Sequence, residues 1–370
     1  MLTNPFKPTA GKTPPLLIDR RAIIEDFREG IEDGPGAPAR LMRITGARGS
    51  GKTVLLNALG NVARDYGWDV IEETAGFGLC ERILEQLNSL DSISKATVRA
   101  SLGIVAADVE LSPNHPSSLR GSLTRRVRTL TEHDVGLLIT IDEAQDTDED
   151  EMRVIAQAVQ HLVREDLSVA LVFAGITSGV MRIIDGKAIT FLRRAIPEEL
   201  HPIPISEVAS ALRETIESAG MSISEPELQR MAQASEGYPY MIQLVGYRVF
   251  RLARRHEERA PSVQQEDVRQ GIIEARNEFE AAVIEVSLSS LSRVPMQLLI
   301  AMSEDDGPSS IAEVAGRLGK TTQGLSTARH ELISEQIIEP ASRGYLQFSI
   351  PYLREYLRNH ARDLLERYGL

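Results

Sequence analysis

Residues 46–53 constrain this chain more than any other stretch. Gly46-Ala47-Arg48-Gly49-Ser50-Gly51-Lys52-Thr53 fits G-x-x-x-x-G-K-[ST] at every position. The flanks agree with the motif. Leu41–Thr45 is a short apolar run that predicts a strand, and Thr53–Gly67 carries apolar residues at helical spacing. Glycines let successive backbone N–H groups turn inward on an anion, and the following helix adds the positive end of its dipole. The expected phosphate cradle runs from Gly46 through Thr53 to Val54, with Lys52 reaching the β- and γ-phosphates and the Thr53 hydroxyl holding Mg²⁺. A second triplet, Gly11-Lys12-Thr13, lacks the first glycine (Phe6 stands there) and runs into Pro14 and Pro15, so it is rejected.

A later run, Leu137–Ile141, ends in Asp142-Glu143. A buried strand ending in two acids would bring Asp142 to the metal and Glu143 to the attacking water as general base. The plain alternative is that the pair caps a helix starting near Asp148.

Strand-like and helical patterns alternate from Leu17 to about Pro204, which predicts an α/β core built on a parallel sheet. The strands are expected at Leu41–Thr45, Asp69–Glu73, Gly136–Ile141, Ser168–Ala174 and, less clearly marked, Glu199–Ile203. Residues 91–117 break the rhythm, with a small hairpin expected at Ile104–Ala106 and Asp108–Leu111 and a loop at Ser112–Ser118. Helical spacing then takes over at Ser206–Ala219, Glu225–Ser235, Pro239–Arg255 and Gln264–Ser289. Met296–Met302, Ile311–Leu318 and Gln323–Ser334 predict three short helices, and Ile337–Glu339 with Tyr345–Ile350 a closing hairpin, the outline of a winged helix. The expected organisation is an extended arm (1–16), a nucleotide-binding core (17–204), a helical lid (205–260), a helical connector (261–290) and a winged helix (291–370).

The chain has 370 residues, 42% hydrophobic and 25% charged, a globular balance that excludes collagen-like and disordered classes. No apolar run is long enough to cross a bilayer, residues 1–15 lack the apolar core of a secretion signal, and a lone Cys80 excludes an internal disulfide and a cysteine-cluster zinc site. The expected compartment is the cytoplasm, with no membrane partner. A net charge of −12 means that any nucleic acid must be met by one local surface. The seven histidines show no metal-ligand spacing.

The phosphate loop, the acid pair and the helical lid together resemble an AAA+ P-loop ATPase of the Orc1/Cdc6-like and archaeal-type ATPase branch. The likeness covers about residues 15–260 and, with the winged helix, nearly the whole chain. It implies ATP as the nucleotide; no guanine-selecting Asn-Lys-x-Asp motif is present. It also implies that the backbone near Leu17 and Ile18 flanks adenine, although Asp19 replaces the family's glycine and Asp19 would serve equally as a helix cap. Thr177, with Ser178 beside it, falls at the position of a polar γ-phosphate sensor. Arg193 and Arg194 fall at that of an arginine finger acting on a neighbour's nucleotide. Gly237-Tyr238-Pro239-Tyr240 matches the lid's Gly-x-Pro turn, which puts Pro239 against the nucleotide, but Tyr240 stands where many relatives carry arginine. Slow turnover, or another cation such as Arg248, would follow.

Ser310–Gly319 and Thr321–Glu335 have helix-turn-helix spacing, so Lys320, Thr321, Thr322, Gln323, Ser326 and Arg329 are the expected major-groove contacts and Arg343 a wing contact to phosphate. Nine Lys/Arg against eleven Asp/Glu in residues 285–370 argue equally for a protein-binding module. The basic stretches Arg125, Arg126, Arg128 and Arg248, Arg251, Arg254, Arg255 read as solvated helix faces.

The reading is an ATP-binding, Mg²⁺-dependent ATPase that releases ADP and phosphate and couples its nucleotide state to double-stranded DNA. Two others compete with it. One is a nucleotide-gated signalling switch of the STAND type, forming a homo-oligomer or meeting a partner protein. The other is a nucleotide-binding scaffold with negligible turnover.

Overall fold

The computed structural model describes residues 2–9, 20–101, 118–185, 190–256 and 261–367. The expected hairpin at 104–111, the loop that follows it up to residue 117 and the predicted adenine contacts Leu17 and Ile18 lie outside them.

The first half is a parallel α/β sandwich. Helix α1 (Arg21–Glu32) precedes β1 (Leu41–Thr45), α2 (Lys52–Asp65), β2 (Asp69–Thr74), α3 (Leu79–Ser101), α4 (Leu119–Thr131), β3 (Leu137–Asp142), α5 (Glu149–Arg164), β4 (Val169–Gly175), α6 (Thr177–Asp185) and β5 (Ile196–Glu199). The strands lie in the order β2-β3-β4-β1-β5, all parallel. β3 and β4 are buried along their whole length, as unbroken apolar runs require. Period-two alternation divides their side chains. Leu138, Ala170, Val172 and Ala174 pack with Phe27 of α1 and Leu55 and Leu59 of α2, whereas Leu137, Ile139, Leu171 and Phe173 face α4 and α5 on the other side.

The fifth strand lies earlier than the predicted Glu199–Ile203. Pro202 and Pro204 offer no N–H to a ladder, and only Leu200 N–H continues the pairing, to Thr45 O at 2.7 Å. Pro197 is tolerated inside β5 because that strand is an edge, paired with β1 alone.

Helices α7 (Ile205–Ser218), α8 (Glu225–Ala234) and α9 (Pro239–Ala253) follow. Prolines sit in the first turn of α8 and α9, where a missing N–H costs nothing. The predicted connector is one helical rod: α10 (Gln265–Phe279), opened by a Gln264/Asp267 capping box, a π-turn at Glu280–Ile284, and α11 (Glu285–Ser289). Then come α12 (Arg293–Ser303), β6 (Ser309–Ser310), α13 (Ile311–Arg317), α14 (Ser326–Ser334), β7 (Ile338–Ser342), β8 (Tyr345–Phe348) and α15 (Leu353–Arg367), with an antiparallel sheet in the order β6-β8-β7. β6 and α15 were not expected from the sequence. α14 starts later than the spacing predicts: Thr321 Oγ1 accepts from Gly324 N–H at 3.0 Å and holds Thr321–Gly324 as a turn.

One hydrophobic core runs through α7–α10 and the C-terminal elements without a break. The N-terminal arm also enters it. Phe6 is buried edge-on to Phe250, Asn4 donates to Tyr247 O at 3.0 Å, and Gln243 accepts from Lys7 N–H at 3.0 Å. Among the described residues no helix is long and apolar enough to cross a membrane.

Candidate nucleotide site

The phosphate loop joins β1 to α2 at the carboxyl edge of the sheet, with the end of β3 at its side. Thr53 donates its hydroxyl to Asp142 Oδ2, which brings residues 89 positions apart together. Lys52 is buried and donates to Gly46 O at 2.8 Å and Ala47 O at 3.0 Å. Burial lowers the Lys52 pKa although Glu143 and Asp142 oppose it, and burial likewise raises the Asp142 pKa against the hydrogen bond from Thr53. Both buried charges are thus poorly matched by the protein alone. A phosphate anion beside Lys52 and a divalent cation beside Asp142 would satisfy both.

Asp142 and Glu143 do not cap α5. Asp148 does, accepting from the N–H groups of Asp150 and Glu151. Glu143 instead sits in a left-handed turn, φ +50°, and its carboxylate accepts from Gln145 Nε2 at 2.6 Å. The Gln145 Oε1 accepts from Ile176 N–H at 3.2 Å, and Arg182 donates to Gln145 O at 2.9 Å. Gly175 and Gly179 open the slot for this side chain: a Cβ at either would stand 2.4 Å from Gln145 Oε1 or 2.0 Å from its Cβ. Sequence reasoning missed Gln145, which belongs to no motif.

Thr177 opens α6, next to the residue bound by Gln145. Its Oγ1 accepts from Gln336 Nε2, at the end of α14. One side-chain hydrogen bond therefore joins the C-terminal unit to the position predicted as a phosphate sensor. Arg193 and Arg194 are both exposed in the turn before β5, with Arg193 Nε donating to Ile184 O at 3.2 Å.

The turn ahead of α9 lies against the phosphate loop. Tyr240 N–H donates to Gly49 O at 3.3 Å, and Pro239 stands 3.9 Å from where a Gly51 Cβ would be. Arg48 and Gly49 stay exposed, so the loop is bordered by this turn and not sealed by it. On its other side the same segment meets the C-terminal unit: Tyr352 donates to Ala234 O, and the Arg276 guanidinium lies 4.0 Å over the Tyr352 ring. Arg248, the cation expected in place of a lid arginine, is engaged with Glu278 and Glu274. Within the basic stretches Arg251 pairs with Glu274, Arg126 with Asp69 and Arg128 with Glu165.

Lys320, Thr321, Thr322, Gln323, Arg329 and Arg343 are exposed. Lys320 to Gln323 precede α14, however, and only Ser326 and Arg329 lie on it.

The fold is that of P-loop AAA+ ATPase structures, and residues 17–172 match the AAA ATPase domain family. Several solved archaeal structures share this fold along nearly the whole chain. The Walker-type ATPase paby2304 of Pyrococcus abyssi superposes with a TM-score of 0.65 at 16% identity, over 92% of this chain and 96% of that one. The Aeropyrum pernix ORC2 protein, in its ADPNP-ADP complexes, gives 0.65 at 15% identity over 97% of both chains. Cdc6p from Pyrobaculum aerophilum gives 0.52 at 17% identity over 97% of both chains. Residues 281–357 match a domain of unknown function, DUF8462. The search of curated proteins found no match.

Proposed function

We propose that this chain is a Mg²⁺-dependent ATPase whose nucleotide state governs a C-terminal winged helix. The observation that carries the reading is the junction of Lys52, Thr53 and Asp142 at the phosphate loop. The proposed units are the core (17–204), lid (205–260), connector (261–290) and winged helix (291–370).

Thr53 and Asp142 fit Mg²⁺: both offer hard oxygen donors, and no cluster of three or more His, Cys, Asp or Glu competes among the described residues. The ion would neutralise charge developing on the phosphates. Lys52 leaves the Gly46 and Ala47 carbonyls for phosphate oxygens. Glu143 takes a proton from the attacking water once it has left Gln145. Thr177 orients toward the γ-phosphate once freed of Gln336, and Arg193 or Arg194 reaches a neighbouring copy's nucleotide.

The lid and C-terminal unit share one core, so they move together when ATP enters, and the Gln336–Thr177 bond must break. That motion repositions the exposed Lys320, Thr322, Gln323, Arg329 and Arg343 toward duplex DNA. The A. pernix neighbour was captured with nucleotide, in keeping with this reading. Phosphate release tests it: Lys52→Ala loses nucleotide binding, whereas Glu143→Gln keeps binding and loses turnover. A DNA shift assay over a salt series tests the partner, since phosphate contacts weaken steeply with salt.

A second reading has its own support. Gln145 engages Glu143, Gln336 engages Thr177, and the lid turn carries Tyr240. These favour a nucleotide-held switch with negligible turnover and a protein partner. A wild-type chain that retains ADP and releases no phosphate, with or without DNA, would select it.

A further inference from the structure

The contact between the lid turn and the phosphate loop contains polar atoms with no partner. Tyr238 is 3% exposed, and its ring is held edge-on by Phe279 at 5.5 Å and 90°. A ring carbon lies 2.8 Å from where a Cβ on Gly49 would stand, and the Tyr238 hydroxyl 3.5 Å from it. With φ at +78°, only glycine allows this approach. The hydroxyl is sealed from solvent and has no hydrogen-bond partner, and neither does Ser50 Oγ in the loop itself. A buried hydroxyl left unpaired is costly, and native structures seldom retain one without use.

We propose that the Tyr238 hydroxyl is a ligand of the nucleotide, donating a hydrogen bond to a phosphate oxygen of a nucleoside di- or triphosphate held in the Gly46–Thr53 cradle. Burial raises the Tyr238 pKa, so the group stays a protonated donor at physiological pH. The Arg48 charge opposes this rise without reversing it. Tyr238 would thus carry nucleotide occupancy straight into the lid, since its ring packs on Phe279, where α10 gives way to the π-turn. The inference rests on the nucleotide reading above and adds to it a ligand from outside the loop.

The test is ADP affinity, measured by fluorescence anisotropy in the presence of Mg²⁺, for the wild type, Tyr238→Phe and Lys52→Ala. Phenylalanine keeps the ring and removes only the hydroxyl. The expected result is binding weakened by about tenfold or more, with the melting temperature of nucleotide-free Tyr238→Phe unchanged or raised. Wild-type affinity in Tyr238→Phe, with Lys52→Ala impaired, overturns this inference alone. So does a lowered melting temperature without nucleotide, which would mean that the hydroxyl has a structural partner. No binding by the wild type overturns the nucleotide reading as well.

Discussion

Gly237 joins the turn ahead of α9 to the segment after β5, and replacing it with alanine has a cost that can be worked from its surroundings. Its φ is +73°, and its carbonyl accepts from Ile203 N–H at 2.8 Å. A Cβ at Gly237 would stand 2.2 Å from Ile203 O and 3.0 Å from Ile203 N. Both are backbone atoms, so no rotamer change relieves the clash. The left-handed conformation costs alanine about 1 kcal/mol, and forcing the backbone apart about 1–3 kcal/mol more. Gly237→Ala should therefore lose about 2–4 kcal/mol. Gly36→Ala is the control: φ is +88° and no atom lies within 4 Å, so it should lose about 1 kcal/mol. Urea denaturation should be followed by circular dichroism, because the single tryptophan, Trp68, reports on the sheet core and not on the lid. Equal losses in the two variants would refute the clash reasoning.

Asp142→Asn should stabilise the nucleotide-free protein at neutral pH while abolishing Mg²⁺-dependent turnover. The folded state holds the Asp142 proton more tightly than the unfolded state, so wild-type stability falls as pH rises from the ordinary carboxylate range through the raised pKa. Melting curves over a pH series should show the variant's advantage vanishing in acid; parallel profiles would count against it. Gly179→Ala puts a methyl 2.0 Å from Gln145 Cβ and should displace that side chain from Glu143, changing kcat while ADP affinity holds. An unchanged kcat would mean that Gln145 does not restrain the acid. Gln336→Ala removes a bond worth about 0.5–1.5 kcal/mol between the C-terminal unit and Thr177, shifting the population of the released form about two- to tenfold. Scattering curves of variant and wild type that superimpose would exclude this latch.

The central strands were legible because burial on both faces leaves an unbroken apolar run: Leu137–Asp142 and Val169–Gly175 differ from expectation by a residue at each end. The phosphate loop was legible because its chemistry admits few residue types. What escaped depended on distant partners. Phe6 reads as part of a proline-rich arm, yet a Cβ on Gly246 would meet its ring at 2.4 Å, so the arm is seated on α9. Gln336 and Thr177, 159 residues apart, share no local pattern. Gln145 is marked only by two glycines thirty and thirty-four positions away, whose purpose appears once the sheet brings them together. The turn at Thr321–Gly324 was lost to helical spacing because a threonine hydroxyl competes for the backbone there.

The central claim is that Gly46–Thr53, with Asp142, holds a nucleotide and its metal. Calorimetric titration of the wild type and Lys52→Ala with ATP, with and without Mg²⁺, tests it most directly. The account predicts saturable one-to-one heat for the wild type that is stronger with Mg²⁺ and lost in Lys52→Ala. No heat from the wild type, or equal affinity in Lys52→Ala, would contradict it.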